Sequence, residues 1–106
     1  MSASKKRHGP FPWWLKTRRG YDAYLRSPEW AAFRERYFQK HPRKCFVCGT
    51  DREIQLHHKS YRSVGHERPS DVVQLCRPHH IETHALIRSK KAKLWEAHLA
   101  IAKEHQ

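Results

Sequence analysis

No stretch of this chain stays apolar long enough to span a membrane, and its N-terminus lacks the apolar block of a secretory signal. The expectation is therefore a cytoplasmic protein with no membrane partner. Acids are scarce: 10 Asp and Glu stand against 22 Lys and Arg, for a net charge of +12 and a pI near 10.1. So lopsided a balance points to a polyanionic partner, nucleic acid first. An acidic membrane surface fits less well. The charge runs along the whole chain, and no cationic helix with one broad apolar face stands out. Cysteines number three, an odd set that cannot close fully into disulfides. Internal repeats are absent, and hydrophobic residues make up only 38% of 106 residues. One small domain is all this length holds, and a core that modest benefits from a staple such as a structural metal.

What the chain does have is imidazole. Residues 54–84 read IQLHHKSYRSVGHERPSDVVQLCRPHHIETH, with His57-His58 at one end and Cys76, His79, His80 and His84 at the other. Imidazole binds divalent metals well and exchanges a proton near neutral pH. The alternation of Ile54 and Leu56 around Gln55 predicts a strand running into His57-His58. A polar loop with Gly65 follows, then a second short strand at Val72-Val73-Gln74-Leu75. Pro78 sits where a helix begins, and His80, Ile81, His84, Ile87 and Arg88 keep helical spacing.

Upstream, residues 1–20 read as a basic arm, with Lys5, Lys6, Arg7, Lys16, Arg18 and Arg19 unopposed by any acid and Pro10 and Pro12 disfavouring regular structure. Trp13 and Trp14 are expected to pack back on the domain. Tyr21, Tyr24 and Leu25 suggest a short helix. Ser27-Pro28-Glu29 supplies an N-cap, a first-position proline and a first-turn acid for the next, whose packing face is Trp30, Phe33 and Tyr37. Residues 89–106 read as a final helix packing on the domain. His8, His41, His98 and His105 read as ordinary surface groups.

The metal-ligating residues sort into two sets. Cys45-x-x-Cys48-Gly49 and Cys76-x-x-His79 have the spacing of a tetrahedral zinc site; three sulfurs and one imidazole leave no open position, so this zinc is assigned to structure. His80 and His84, at i and i+4, face one way on a helix. His57 on the strand can complete a three-histidine site with positions left for water and phosphate oxygen. His58 points to the opposite strand face. It is expected to stand free across the scissile phosphate and take a proton from the attacking water. One of Arg62, Arg68 and Arg77 is expected to clamp the phosphate.

These residues resemble the HNH endonuclease family. Tyr24-Leu25-x-Ser27-x-x-Trp30 is similar to its leading helix signature. The order Cys45-x-x-Cys48-Gly49, Leu56-x-His58, Tyr61-x-x-x-Gly65-x-Glu67, Asp71, Leu75-Cys76-x-x-His79-His80 and His84 is similar to its core, so the resemblance covers residues 24–84. It implies an α+β fold with a small ββα-metal core and a structural zinc knuckle, placed at residues 21–88 and flanked by N- and C-terminal helices. It implies hydrolysis of DNA phosphodiester bonds with one divalent ion (Mg2+, Mn2+, Ni2+ or Zn2+) on His57, His80 and His84, with His58 as general base. The chain departs from the pattern in two places. His79 stands where a fourth cysteine is common, and there is no asparagine for the middle position, which falls to Asp71 or His66. Two other readings compete: a non-catalytic zinc-binding DNA-binding module, and an assembly or adaptor protein recruiting nucleic acid through its arm. A homodimer or a larger protein partner is left open.

Overall fold

The computed structural model describes residues 17–106. Lys5, Lys6, Arg7, Trp13, Trp14 and Lys16 lie outside them. Among the described residues, four helices and one two-stranded antiparallel sheet make a small mixed α+β domain. The order is α1 (Arg18–Leu25), α2 (Pro28–Lys40), β1 (Ile54–His58), β2 (Val72–Cys76), α3 (Arg77–Arg88) and α4 (Leu94–Glu104), with a 3-10 turn at Pro69–Asp71. No helix among the described residues is long and apolar enough to cross a membrane.

Local chemistry sets most of these boundaries. The Thr17 hydroxyl accepts from Gly20 N at 3.0 Å, so α1 starts inside the stretch assigned to the arm, and Arg18 and Arg19 belong to a helix. Ser27 accepts from Trp30 N at 3.2 Å and Pro28 opens α2. Such a cap contributes about 1 kcal/mol. α3 is different. Its N-cap is Cys76, which makes no side-chain capping bond, so a sulfur stands where a cap oxygen is preferred. α3 ends at Ser89, the left-handed Lys90 (φ 60°) turns the chain, and α4 returns along α3, burying Ala97, His98 and Ile101.

The sheet pairs Leu56 with Gln74, His57 with Val73 and His58 with Val72. An isolated two-stranded hairpin is marginal in water, so both faces need cover. One face packs Leu56 and Val72 against Tyr24, Trp30, Phe33 and Val64, all buried. The other packs Val73 and Leu75 with Cys45 and Cys76. Because successive strand residues face opposite ways, His58 is committed to the first layer and His57 to the second. The loop between the strands is closed by Asp71, whose carbonyl accepts from Lys59 N at 2.9 Å and whose carboxylate accepts from Arg68 N at 2.8 Å.

Candidate metal centres

Cys45, Cys48, Cys76 and His79 converge, each offering a ligand atom within 4.8 Å of the others. Cys48 Sγ lies 3.8 Å from Cys76 Sγ, and His79 Nδ1 lies 3.2 Å from Cys76 Sγ and 3.7 Å from Cys45 Sγ. Zinc–sulfur bonds of about 2.3 Å set tetrahedrally give edges of roughly 3.8 Å, so the spacing suits such an ion. The knuckle is built by a tight turn. Gly49 adopts φ 79° and donates to Cys45 O at 2.9 Å, while Val47 N points at Cys45 Sγ, 3.3 Å away. Phe46 N bonds Gln74 O at 2.8 Å, docking the turn on β2. Burial opposes ionisation of the Cys45 thiol, but backbone hydrogen bonds and His79 outweigh it and bring its pKa to about 6. Burial dominates at Cys76 and pushes its thiol up to about 11. This cluster could hold a metal such as zinc.

The second cluster is His57, His80 and His84. Ring centroids are 5.3 Å apart for His57 and His80, 5.0 Å for His57 and His84, and 4.7 Å for His80 and His84. Nε2 of His80 and Nε2 of His84 approach to 3.0 Å. Gln55, on the exposed edge of β1, accepts from His80 Nδ1 at 2.5 Å. That bond fixes the tautomer and leaves the His80 Nε2 lone pair facing the cluster, as an outer partner of a metal ligand does.

His57 carries the test of fit. It is 1% exposed, yet neither ring nitrogen has a hydrogen-bond partner. Burying polar atoms unsatisfied costs about 1–3 kcal/mol each, and such orphans are rare enough to need a reason. A cation bound here would supply one. Burial, reinforced by the neighbouring imidazoles, depresses His57 to about 3 and His80 to about 4, and burial lowers His84 as well. All three rings are held in the neutral form that binds metal. The residues present therefore fit a divalent ion.

His58 is not free, contrary to expectation. Its side chain is 1% exposed, stacked on Trp30 at 4.8 Å and enclosed by Tyr21 and Glu67. Nε2 lies 2.7 Å from Glu67 Oε2, and Nδ1 lies 2.8 Å from the Tyr21 hydroxyl. Tyr24 donates to the other Glu67 oxygen at 2.7 Å. Burial alone would raise the Glu67 carboxyl, but the bonds from His58 and Tyr24 overcome that and hold it below its usual range. An ionised carboxylate only accepts, so His58 Nε2 carries the proton. In the neutral ring Nδ1 then accepts from Tyr21. The residue that orients His58 is thus Glu67. Asp71 ties the loop instead, and His66 is exposed on that loop. The Tyr61-x-x-x-Gly65-x-Glu67 spacing contained this signal, but only the fold puts Glu67 against the imidazole.

His57, His58, His80 and His84 all line one groove of about 1050 Å³, though the His58 side chain itself stays 1% exposed. Its guanidinium groups come from Arg18, Arg34 and Arg88. Arg62, Arg68 and Arg77 are exposed outside its lining, and Arg68 is engaged with Asp71 at 3.4 Å. Arg34 and Arg88 were missed because the helix face they share with the groove is a tertiary property. His98, read as a surface group, is 4% exposed, with its Nδ1 unpartnered and its ring 6.2 Å from His57. His105 does stay at the surface, bonded to Glu82 at 3.1 Å.

Compared with protein-family models, with curated proteins and with solved structures, the chain finds no match. What defines it is therefore its own geometry: a small α+β domain in which the Cys45, Cys48, Cys76, His79 set and the His57, His80, His84 set meet on α3, with a third, partly exposed group of His79, Glu82 and His105 beside them.

Proposed function

We propose that this protein is a metal-dependent endonuclease of the HNH type, a ββα-metal domain that hydrolyses DNA phosphodiester bonds. The observation that carries the reading is the convergence of His57, His80 and His84, with His57 buried and unpartnered, at a groove flanked by arginines. The order β1, loop, β2, α3 supports it, as does the Cys45, Cys48, Cys76 and His79 cluster, which would hold a structural zinc.

His57, His80 and His84 would hold a divalent ion, which when bound would supply Lewis-acid stabilisation of developing negative charge. The chain's own residues do the rest. Gln55 holds His80 in its ligating tautomer. Glu67 fixes the His58 ring and keeps a carboxylate beside it when the ring takes a proton. Arg18, Arg34 and Arg88 pair with backbone phosphates, a contact that is sequence-independent and salt-sensitive. Lys5, Lys6, Arg7 and Lys16 would extend this grip along the strand.

Plasmid nicking by the purified protein, with Mg2+, Mn2+, Ni2+ or Zn2+ added in turn, tests the reading. Cutting that needs a metal and is lost in His84→Ala is the expected result. The enclosure of His58 favours a second reading, a zinc-binding DNA-binding module without catalysis. Metal counting separates the two: a nuclease binds two ions per chain at saturation, and the module binds one.

A further inference from the structure

His58 makes two hydrogen bonds, and they are not equivalent. On the Nε2 side sits Glu67, whose side chain is 1% exposed and is itself tied down by Tyr24. On the Nδ1 side sits Tyr21, which is only partly buried and lines the same groove as the three clustered imidazoles. The His58 side chain is 1% exposed and both its ring nitrogens are already hydrogen-bonded, so a groove water has no open nitrogen to give its proton to directly. Among the described residues, the hydroxyl that hydrogen-bonds the ring and also lines the groove is that of Tyr21.

We propose that Tyr21 is a catalytic residue, relaying the proton of the attacking water to His58 across the Glu67–His58–Tyr21 chain. The proposal rests on the nuclease reading above and deepens it, since it names the group that meets the nucleophile. In the resting state Glu67 accepts from His58 Nε2–H and Tyr21 O–H donates to Nδ1. The phenol oxygen keeps a lone pair for a groove water. As that water attacks phosphorus, one of its O–H bonds breaks and a new O–H bond forms on Tyr21. The original Tyr21 O–H bond breaks at the same time, and its hydrogen bonds to Nδ1. The tyrosine is left neutral, with its proton exchanged. His58 becomes an imidazolium facing the Glu67 carboxylate. The phosphorus–oxygen bond to the leaving sugar breaks, and that oxygen takes a proton from solvent. The imidazolium returns its proton through Tyr21 to bulk water before the next turnover.

Three features of the packing suit a relay. The Tyr21 ring is held edge-on against Tyr61 at 5.0 Å and against His58 at 5.6 Å, so its hydroxyl is aimed by neighbours on two sides. The position comes from α1, whose start is fixed by the Thr17 cap. Burial, with the nearby Tyr61 and Glu67, pushes the Tyr21 hydroxyl well above the ordinary phenol range, so it passes a proton on rather than standing as a phenolate.

Tyr21→Phe removes the hydroxyl and keeps the ring. With wild type cutting plasmid in the presence of metal, the variant should cut at least ~10²-fold more slowly, the usual worth of a positioned proton-transfer group. Its melting temperature, metal content and DNA affinity should match wild type. A variant that cuts within a few-fold of wild type, or faster, overturns the relay and leaves the nuclease reading standing. It would make the hydroxyl a latch over His58. A wild-type protein that cuts with none of the four metals ends the nuclease reading and the relay together. Nitrogen-15 NMR of wild-type His58 is independent of both activity and variant folding. The relay requires the proton on Nε2 and the lone pair on Nδ1. A ring protonated at Nδ1 in the resting state points the chain the wrong way and sinks the proposal.

Discussion

The two candidate metal clusters meet on one helix but differ in chemistry. Cys76 and His79 flank the first turn of α3, and His80 and His84 continue along it. The first set is completed by a turn that supplies two more sulfurs, so four protein ligands surround one point. The second is completed by one strand imidazole and opens on a groove. A closed set can only stabilise, while an open one can bind something else. The difference is made by one residue: His79 turns its Nδ1 to the sulfurs, and His80, next in sequence, turns to Gln55 and His84.

The comparison is broken most severely at the closed cluster. Cys76→Ala, or stripping with a strong chelator, should unfold the chain. Structural zinc is worth ~10 kcal/mol or more of apparent folding free energy in small domains, and a two-stranded sheet has little else. Circular dichroism of the chelated protein measures this, and a chelated chain that keeps a cooperative melt would remove the structural role. At the open cluster His57→Leu should do the reverse. It should abolish cleavage and one metal equivalent while leaving the metal-free fold intact, because an apolar side chain replaces an unsatisfied buried ring. A strong loss of melting temperature in that variant would contradict the account of His57 as an orphan.

A smaller effect is expected at Glu67→Gln. This keeps the shape but removes the charge facing His58, and cleavage should fall by roughly 10²-fold with metal content unchanged. Retained activity would assign Glu67 to packing alone.

Acid should distinguish the clusters too. His57 and His80 stay uncharged in the fold down to about 3 and about 4, whereas an unfolded histidine takes a proton near ~6.5. Below that value the unfolded chain binds more protons than the folded one, so stability is full above about pH 6.5 and declines as pH falls toward the folded values. Melting curves across that window should be flatter for His57→Leu than for wild type; parallel slopes would show that the ring does not titrate as its burial implies. The smallest effect belongs to the groove. Arg34→Ala and Arg88→Ala should each weaken DNA binding evenly across sequences and reduce the salt slope by about 1. An unchanged slope would place the phosphate path elsewhere.

Much of this was legible from residue order. The Ser27 cap, the strand ending in His57-His58, the α3 start at Pro78, and the division of ligands into a Cys45, Cys48, Cys76, His79 set and a His57, His80, His84 set follow from spacing alone, because helix and strand periods decide which neighbours share a face. The start of α1 at Arg18 was obscured by basic residues that looked like an arm, since charge says nothing against a helix with a good cap. His98 looked like a surface group because nothing local signals that α4 folds back on α3.

Sequence by itself determined which side chains could ligate, and that His57 and His58 must part company, since a pleated strand sends adjacent residues to opposite faces. Tertiary structure decided what each then meets. Burying the hairpin between α1–α2 and α3–α4 left one imidazole without a partner at an open cluster and sealed the other between a carboxylate and a phenol. Those partners lie 9 and 37 residues away along the chain, and only packing brings them into contact.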